Sequence, residues 1–396
     1  MKQLNKLLSI FGPGIVLAAT AIGGSHLVQS TRAGADYGLK LLPVVILANL
    51  LKYPFFEFGQ RYFAMTGKNL LHGYEKLHPL ALYAFLISTL ITAVPTLSAV
   101  SFVAANILAY FIAPGISPFY FEIVILFVCA AILLLGHYRL LDLLIKLLLI
   151  ILTVATCLAL ILTISHTGFA VPHHSSVVLN LSSLAFIIAL VGWMPAPVEA
   201  SVWLTLWGEA NRDSGQQQPT LKSALVDFNV GYIGTAILAV IFVLLGALVM
   251  HGMMQSFASS GIKFTEQFVN LYTIHIGAWS KPIIVIVAFA TMFSTTLTVL
   301  DAYPRSICAA LKLINAKSKP INTQIYWLSL TIILIIAAVT TRFFLTKMTV
   351  LIDIATTTAF LMAPIFAYLN YVLLTSSHIQ RQFRPSKFLI YLARLG

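Results

Sequence analysis

The chain has 396 residues, of which 59% are hydrophobic and 9% charged. Soluble globular domains carry about 25% charged residues, so a soluble enzyme, a disordered protein and a disulfide scaffold are excluded. At roughly 20 residues per transmembrane helix, an apolar excess spread over this length leaves room for about ten spans. The net charge is +12, from 24 Lys and Arg against 12 Asp and Glu. These basic residues lie between apolar runs rather than on a soluble face. That pattern fits cytoplasmic loops of a membrane protein and argues against nucleic-acid binding. Cys129, Cys157 and Cys308 stand in or beside apolar runs, with no metal-ligand spacing and no disulfide framework.

In chain order, the opening MKQLNKLLSIFGPG has the look of a leader. Its apolar run continues past Thr20 without a convincing cleavage site, so it is read as the first span. Ten apolar segments are predicted, at roughly 10–32, 41–63, 80–112, 118–137, 141–165, 181–207, 225–251, 281–303, 323–345 and 349–375. They are continuous rather than alternating, so helices are expected and a membrane barrel is not. The longer polar connections, about 64–79, 166–180, 208–224, 252–280 and 304–322, leave no room for a separate soluble domain. With the N-terminus inside and every segment crossing, Arg32, Lys40, Lys263, Lys281, Arg342 and Lys347 face outward, and most other Lys and Arg face inward. This asymmetry predicts a multi-pass protein of the cell (inner) membrane with both termini cytoplasmic.

Two spans are interrupted. The first contains Thr20-Ala21-Ile22-Gly23-Gly24-Ser25-His26, and the sixth contains Gly192-Trp193-Met194-Pro195-Ala196-Pro197-Val198-Glu199. Pro195 and Pro197 remove backbone donors, and Gly23 and Gly24 lower the cost of unwinding. Interruptions at corresponding positions of two halves point to a transporter's midplane site. Unwound backbone there must face protein or a solvated cavity, since hydrocarbon cannot satisfy it. Ordinary kinks are the alternative.

Three stretches carry a family resemblance. Phe11-Gly12-Pro13-Gly14 with Arg32-Ala33-Gly34-Ala35-Asp36-Tyr37-Gly38 resembles the first-helix region of the Nramp family. Trp193-Met194-Pro195 resembles its sixth-helix region, and Phe293 through Arg305 the end of its eighth helix. The resemblance implies an all-α polytopic membrane protein with a leucine-transporter-like fold. That fold has ten transmembrane helices in two inverted five-helix repeats, about 10–165 and 181–375, forming a single transporter domain over 1–396. It also implies alternating access and, in typical members, proton-coupled import of divalent metal.

The family's metal motif is altered in this chain. Asp-Pro-Gly-Asn of typical members reads Gly23-Gly24-Ser25-His26. Ala-x-x-Met-Pro-His reads Val191, Met194, Pro195 and Ala196 at its specified positions, and a second family His falls at Ser201. The family's proton residues, acids in the third helix and arginines in the ninth, have no counterparts: segment 80–112 lacks Asp and Glu, and segment 323–345 has only Arg342. Weak or absent proton coupling is therefore expected.

The remaining candidates follow from chemistry. His26 and Met194 are the expected metal ligands, an imidazole and a soft thioether; alternatively, His26 hydrogen-bonds the interrupted backbone. Thr20 and Val191 offer main-chain carbonyls, and Gly23, Gly24, Ser25 and Thr357 complete the expected substrate site. Glu199, an acid inside a span, is a candidate for coupling; the alternative is a carboxylate paired with a Ser or Thr hydroxyl. Asp301 and Arg305, at i and i+4, suit a gate salt bridge. Lys52, Glu57 and Arg61 are expected to pair among themselves, and Glu122 and Asp353 to be solvated. His166, His173 and His174 are read as a solvated loop. Catalytic and phosphate-binding motifs are missing, so neither an enzyme nor an ATP-driven pump is expected, and no cofactor. The expected function is divalent-metal transport by a monomeric chain in the lipid bilayer. The alternative is a monovalent ion or small organic solute on the same scaffold.

Overall fold

The computed structural model describes residues 17, 18, 20–135, 138–168, 180–215, 217–251, 255–315 and 323–396, with the backbone alone for 138–146 and 167. Past a bend at Ile22 and Gly23, the first helix (α1) winds as a π-helix over Gly24–Ser30 and as an α-helix over Thr31–Tyr37. There follow α2 (Leu42–Thr66), α3 (Leu70–Leu77), α4 (Pro79–Ile112), α5 (Pro118–Leu135), α6 (Tyr138–Thr167) and α7 (Leu181–Trp193). The rest is α8 (Ala200–Asp213), α9 (Leu221–Val249), α10 (Gly261–Ile276), α11 (Lys281–Ile314), α12 (Thr323–Arg342), α13 (Met348–Thr375) and α14 (Lys387–Leu395).

Local chemistry sets several of the ends. The Asn69 and Thr220 side chains accept the Leu71 and Ser223 amides at the starts of α3 and α9, and Asn180 forms a capping box with Ser183 at α7. Gly67 stops α2 in the left-handed region, at φ 66°. Eight described helices are long and apolar enough to cross a membrane: α2, α4, α5, α6, α9, α11, α12 and α13. The first and sixth segments fall outside this set because their helices are broken; α7 has 13 residues and α8 has 14.

The chain is thus an all-α, multi-pass membrane protein. α4 is its hub, packing against α11, α13, α5 and α12. Its buried face is rich in small residues such as Ala93, Ser98, Ala99, Ser101, Ala104 and Ala105, which let membrane helices approach closely. α11 is 67% buried over its most apolar window and α12 22%, so α11 is central and α12 presents most of its surface to lipid. α1 crosses α9 with backbones in contact: a Cβ on Gly34 would overlap the Val243 carbonyl, and one on Gly246 the Thr31 carbonyl.

Two stretches read as polar connections prove helical. α11 continues past residue 303 through Pro304 to Ile314, and α10 occupies much of 252–280. A buried apolar face explains both: Ile307 and Ala310 of α11, and Phe264, Phe268 and Tyr272 of α10, are all buried.

Candidate transport site

The two interruptions meet, and they are built differently. In the first, only Ile22 and Gly23 leave helical winding, with Gly23 at φ −149° and ψ −125°. Gly24, Ser25 and His26, expected to be unwound, lie in the π-helical stretch, whose wider turn absorbs the bend. Both glycines are required by space. A Cβ on Gly23 would lie 2.5 Å from Thr295 Oγ1, and one on Gly24 2.7 Å from the Trp193 ring. In the sixth, α7 ends at Trp193 and α8 begins at Ala200, with a cis Met194–Pro195 peptide between them. Ser25 Oγ, 3.1 Å from the Pro195 carbonyl, ties the two breaks together.

Between them lies a small cavity of about 20 Å3. Thr20, Ala21, Gly24 and Ser25 line it from the first helix, Trp193, Pro195, Ala196, Pro197 and Trp203 from the sixth, Thr96 and Val100 from α4, and Thr295 and Val299 from α11. Among the described residues, the lining thus contains no carboxylate, imidazole or thioether. The Trp193 and Trp203 indole N–H groups are buried without a hydrogen-bond partner among the described residues.

The two expected metal ligands lie outside this lining. His26 is fully buried, with Nδ1 2.9 Å from the Ala21 carbonyl and 2.7 Å from Ser25 Oγ, and Nε2 2.9 Å from the Thr235 carbonyl of α9. Both ring nitrogens are therefore engaged with protein, as in the backbone-bonded alternative. Met194 packs into an apolar cluster with Ala33, Val45, Leu190 and Val243, and its sulfur accepts from Ser30 Oγ at 3.9 Å. No group of three or more His, Cys, Asp or Glu side chains able to hold a metal occurs among the described residues. Thr357 is only partly buried and absent from the lining; Thr356 faces inward and accepts from Gln29 Nε2 at 3.2 Å.

The ionisable residues form distinct structures. Glu199, just before α8, accepts Thr92 Oγ1 at 2.7 Å and Tyr303 Oη at 2.6 Å, joining α4, α8 and α11. Asp301 accepts from Arg305 at 2.9 and 3.0 Å, Trp207 Nε1 at 2.9 Å and Tyr326 Oη at 2.7 Å, so α8, α11 and α12 are clamped at one end of the bundle. At the other end Arg32 pairs with Asp353 at 2.7 Å, and Gln29 Nε2 donates to the same carboxylate at 3.0 Å, joining α1 to α13.

Three sequence expectations are corrected. Glu122 is fully buried and accepts from Ser101 Oγ (2.6 Å) and Thr341 Oγ1 (3.0 Å), because α4 and α12 close over it. Asp353 is held by Arg32 rather than by solvent alone. Glu57 pairs with Arg61 at 2.6 Å as expected, but Lys52 takes no part. Its ammonium donates to the carbonyls of Val191 (2.6 Å), Gly192 (2.9 Å) and Ala196 (3.3 Å). The only sequence hint of this was an ammonium in mid-span; its partners lie in another helix. His166 stacks on His275 at 5.9 Å, while His173 and His174 lie outside the described residues.

Comparison with known proteins gives a consistent picture. The Nramp family profile, described as natural resistance-associated macrophage protein-like, matches residues 14–396. An uncharacterized protein of Pasteurella multocida (strain Pm70) is 38% identical over 393 residues, covering 97% of this chain and 88% of that one. A mutant manganese transporter of Eremococcus coleocola superposes with a TM-score of 0.70 at 13% identity, over 99% of this chain and 84% of that one. MhsT in complex with L-phenylalanine superposes at 0.64 and 13% identity, over 97% and 96%. The two structures establish a shared fold, and the profile and the 38% relative establish descent: the chain belongs to the Nramp family.

Proposed function

We propose that the protein is a secondary transporter that moves a divalent metal cation across the membrane by alternating access. The observation that carries this reading is the family match over residues 14–396. The meeting of two broken helices at an internal cavity supports it, and so does the fold shared with the Eremococcus coleocola manganese transporter. In this reading the chain is one domain of ten spans in two inverted repeats, about 10–165 and 181–375, with both termini cytoplasmic. It works as a monomer. Thr20, Gly23, Gly24, Ser25 and the Val191 carbonyl surround the substrate. Glu199 couples the movement of α4, α8 and α11, and the Asp301–Arg305 and Arg32–Asp353 pairs close opposite ends. Proton coupling is weak, because neither the third-helix acids nor the ninth-helix arginines of typical members are present.

A second reading has its own support. A cavity whose described lining has no carboxylate but includes two tryptophans, each with an indole N–H unpartnered among the described residues, suits a small solute bearing hydrogen-bond acceptors better than a bare cation. Proteoliposome uptake separates the two. Mn(II) entry, followed with an internal metal-sensitive dye and with little accompanying acidification, supports the metal reading. No flux of Mn(II), Fe(II), Zn(II) or Cd(II), together with uptake of a small carboxylate or amide solute, overturns it.

A further inference from the structure

α7 ends at the break, where the last carbonyls of a helix have few intrahelical partners; that of Val191 takes the Met194 amide at 3.2 Å and keeps its second lone pair for another donor. These end carbonyls also form the negative end of the helix dipole. Three carbonyls, those of Val191, Gly192 and Ala196, converge there on one point, and Ala196 also lines the cavity. Such a cluster of outward-turned carbonyls is a cation site by its chemistry.

The point is already occupied. Lys52 reaches it from α2, is 7% exposed, and uses three donors on three oxygens, the full donor capacity of an ammonium. It forms no ion pair among the described residues; the nearest acid on its own helix, Glu57, is taken by Arg61. The helix end therefore neutralises a cation that belongs to the chain itself. We propose that Lys52 is a tethered competitor for the transported cation, occupying the carbonyl site at the broken sixth helix so that a metal binds there only when the ammonium withdraws. Lys52 is then a specificity-determining residue, and this assignment rests on the metal-transport reading above.

The geometry gives the proposal its sign. Two cations cannot share these oxygens without strong repulsion in a site shielded from water. Removing the charge relieves that repulsion and also frees the carbonyls, so both effects strengthen metal binding. Arginine keeps the charge and has no acceptor with which to help a metal.

The test uses the full chain in nanodiscs, with Mn(II) titrated calorimetrically. Lys52→Gln keeps a donor amide without the charge, and Lys52→Met removes both. Each is expected to bind Mn(II) at least about tenfold more tightly than the wild type, and Lys52→Arg no more tightly than the wild type. Equal affinity in the wild type, Lys52→Gln and Lys52→Met overturns the proposal. A second arm does not depend on metal. Lys52→Ala should melt below the wild type, and millimolar butylammonium, but not butanol, should raise its midpoint. If no variant binds Mn(II) but butylammonium rescues, the metal reading fails while the cation site stands. If butylammonium fails as butanol does, the assignment of the site is wrong.

Discussion

The absent aspartate of the first-helix break gives the sharpest test of the site. Restoring it with Gly23→Asp looks simple from the sequence, yet in the folded protein the substitution alone overpacks the site. A Cβ at Gly23 would lie 2.5 Å from Thr295 Oγ1, 3.1 Å from Cγ2 and 3.2 Å from Cβ. Contacts under about 3 Å force a shift, and overpacking a buried position costs about 1–3 kcal/mol. Thr295→Ala removes the two nearest atoms. On its own it forfeits one methyl, about 0.8 kcal/mol, and the hydroxyl's bond to the Thr291 carbonyl at 3.1 Å, about 1 kcal/mol. The double variant should therefore be more stable than the sum of the singles by about 1–3 kcal/mol. It should also gain Mn(II) affinity, since the carboxylate takes the place of Thr295, a cavity-lining residue, whereas Gly23→Asp alone should gain little. The assay is a double-mutant cycle of unfolding midpoints and of Mn(II) titrations. Additive stabilities, or Mn(II) binding in Gly23→Asp equal to that of the double variant, would refute the claim that Thr295 fills the place of the missing side chain.

Other consequences can be checked independently. Gly192→Ala should abolish folding or lower the unfolding midpoint sharply, because its Cβ would overlap the Thr356 carbonyl of α13; a well-folded, active variant counts against the described packing. Asp301→Ala strips Arg305, Trp207 and Tyr326 of one shared acceptor, and should destabilise by about 3–5 kcal/mol in reversible detergent unfolding; a loss under about 1 kcal/mol marks the clamp as a surface pair. Asp353→Asn breaks the Arg32 ion pair and should raise the labelling rate of a cysteine placed at Ser25 by a membrane-impermeant maleimide; an unchanged rate means that this pair does not hold that end closed. His26→Ala should lower stability through the lost contacts to Ala21 and Thr235 but leave any Mn(II) affinity within about twofold, well under the tenfold that 1.4 kcal/mol represents. A larger loss of affinity would restore His26 as a ligand.

The sequence determined the apolar spans, because each is a local run whose length is dictated by the bilayer. It also located both breaks, since Gly23-Gly24 and Pro195-x-Pro197 act on their own backbone. The i, i+4 pairs Glu57–Arg61 and Asp301–Arg305 were legible for the same reason: one turn of helix suffices to bring them together. Family motifs pointed to the fold that the solved structures share. What lay beyond reach were pairings between distant segments. Lys52 meets carbonyls about 140 residues away, and Arg32 meets an acid still farther along. Glu122 is buried because α4 and α12 close over it, which nothing in its own helix announces. His26 and Met194 were chosen for their ligand chemistry, but ligation depends on where a side chain points. That was fixed by the π-helical turn, by the Thr235 carbonyl and by the apolar cluster that receives Met194. Periodicity and composition act along one segment, whereas the direction of a buried polar group is set by whichever neighbour satisfies it, and only the packed bundle supplies that neighbour.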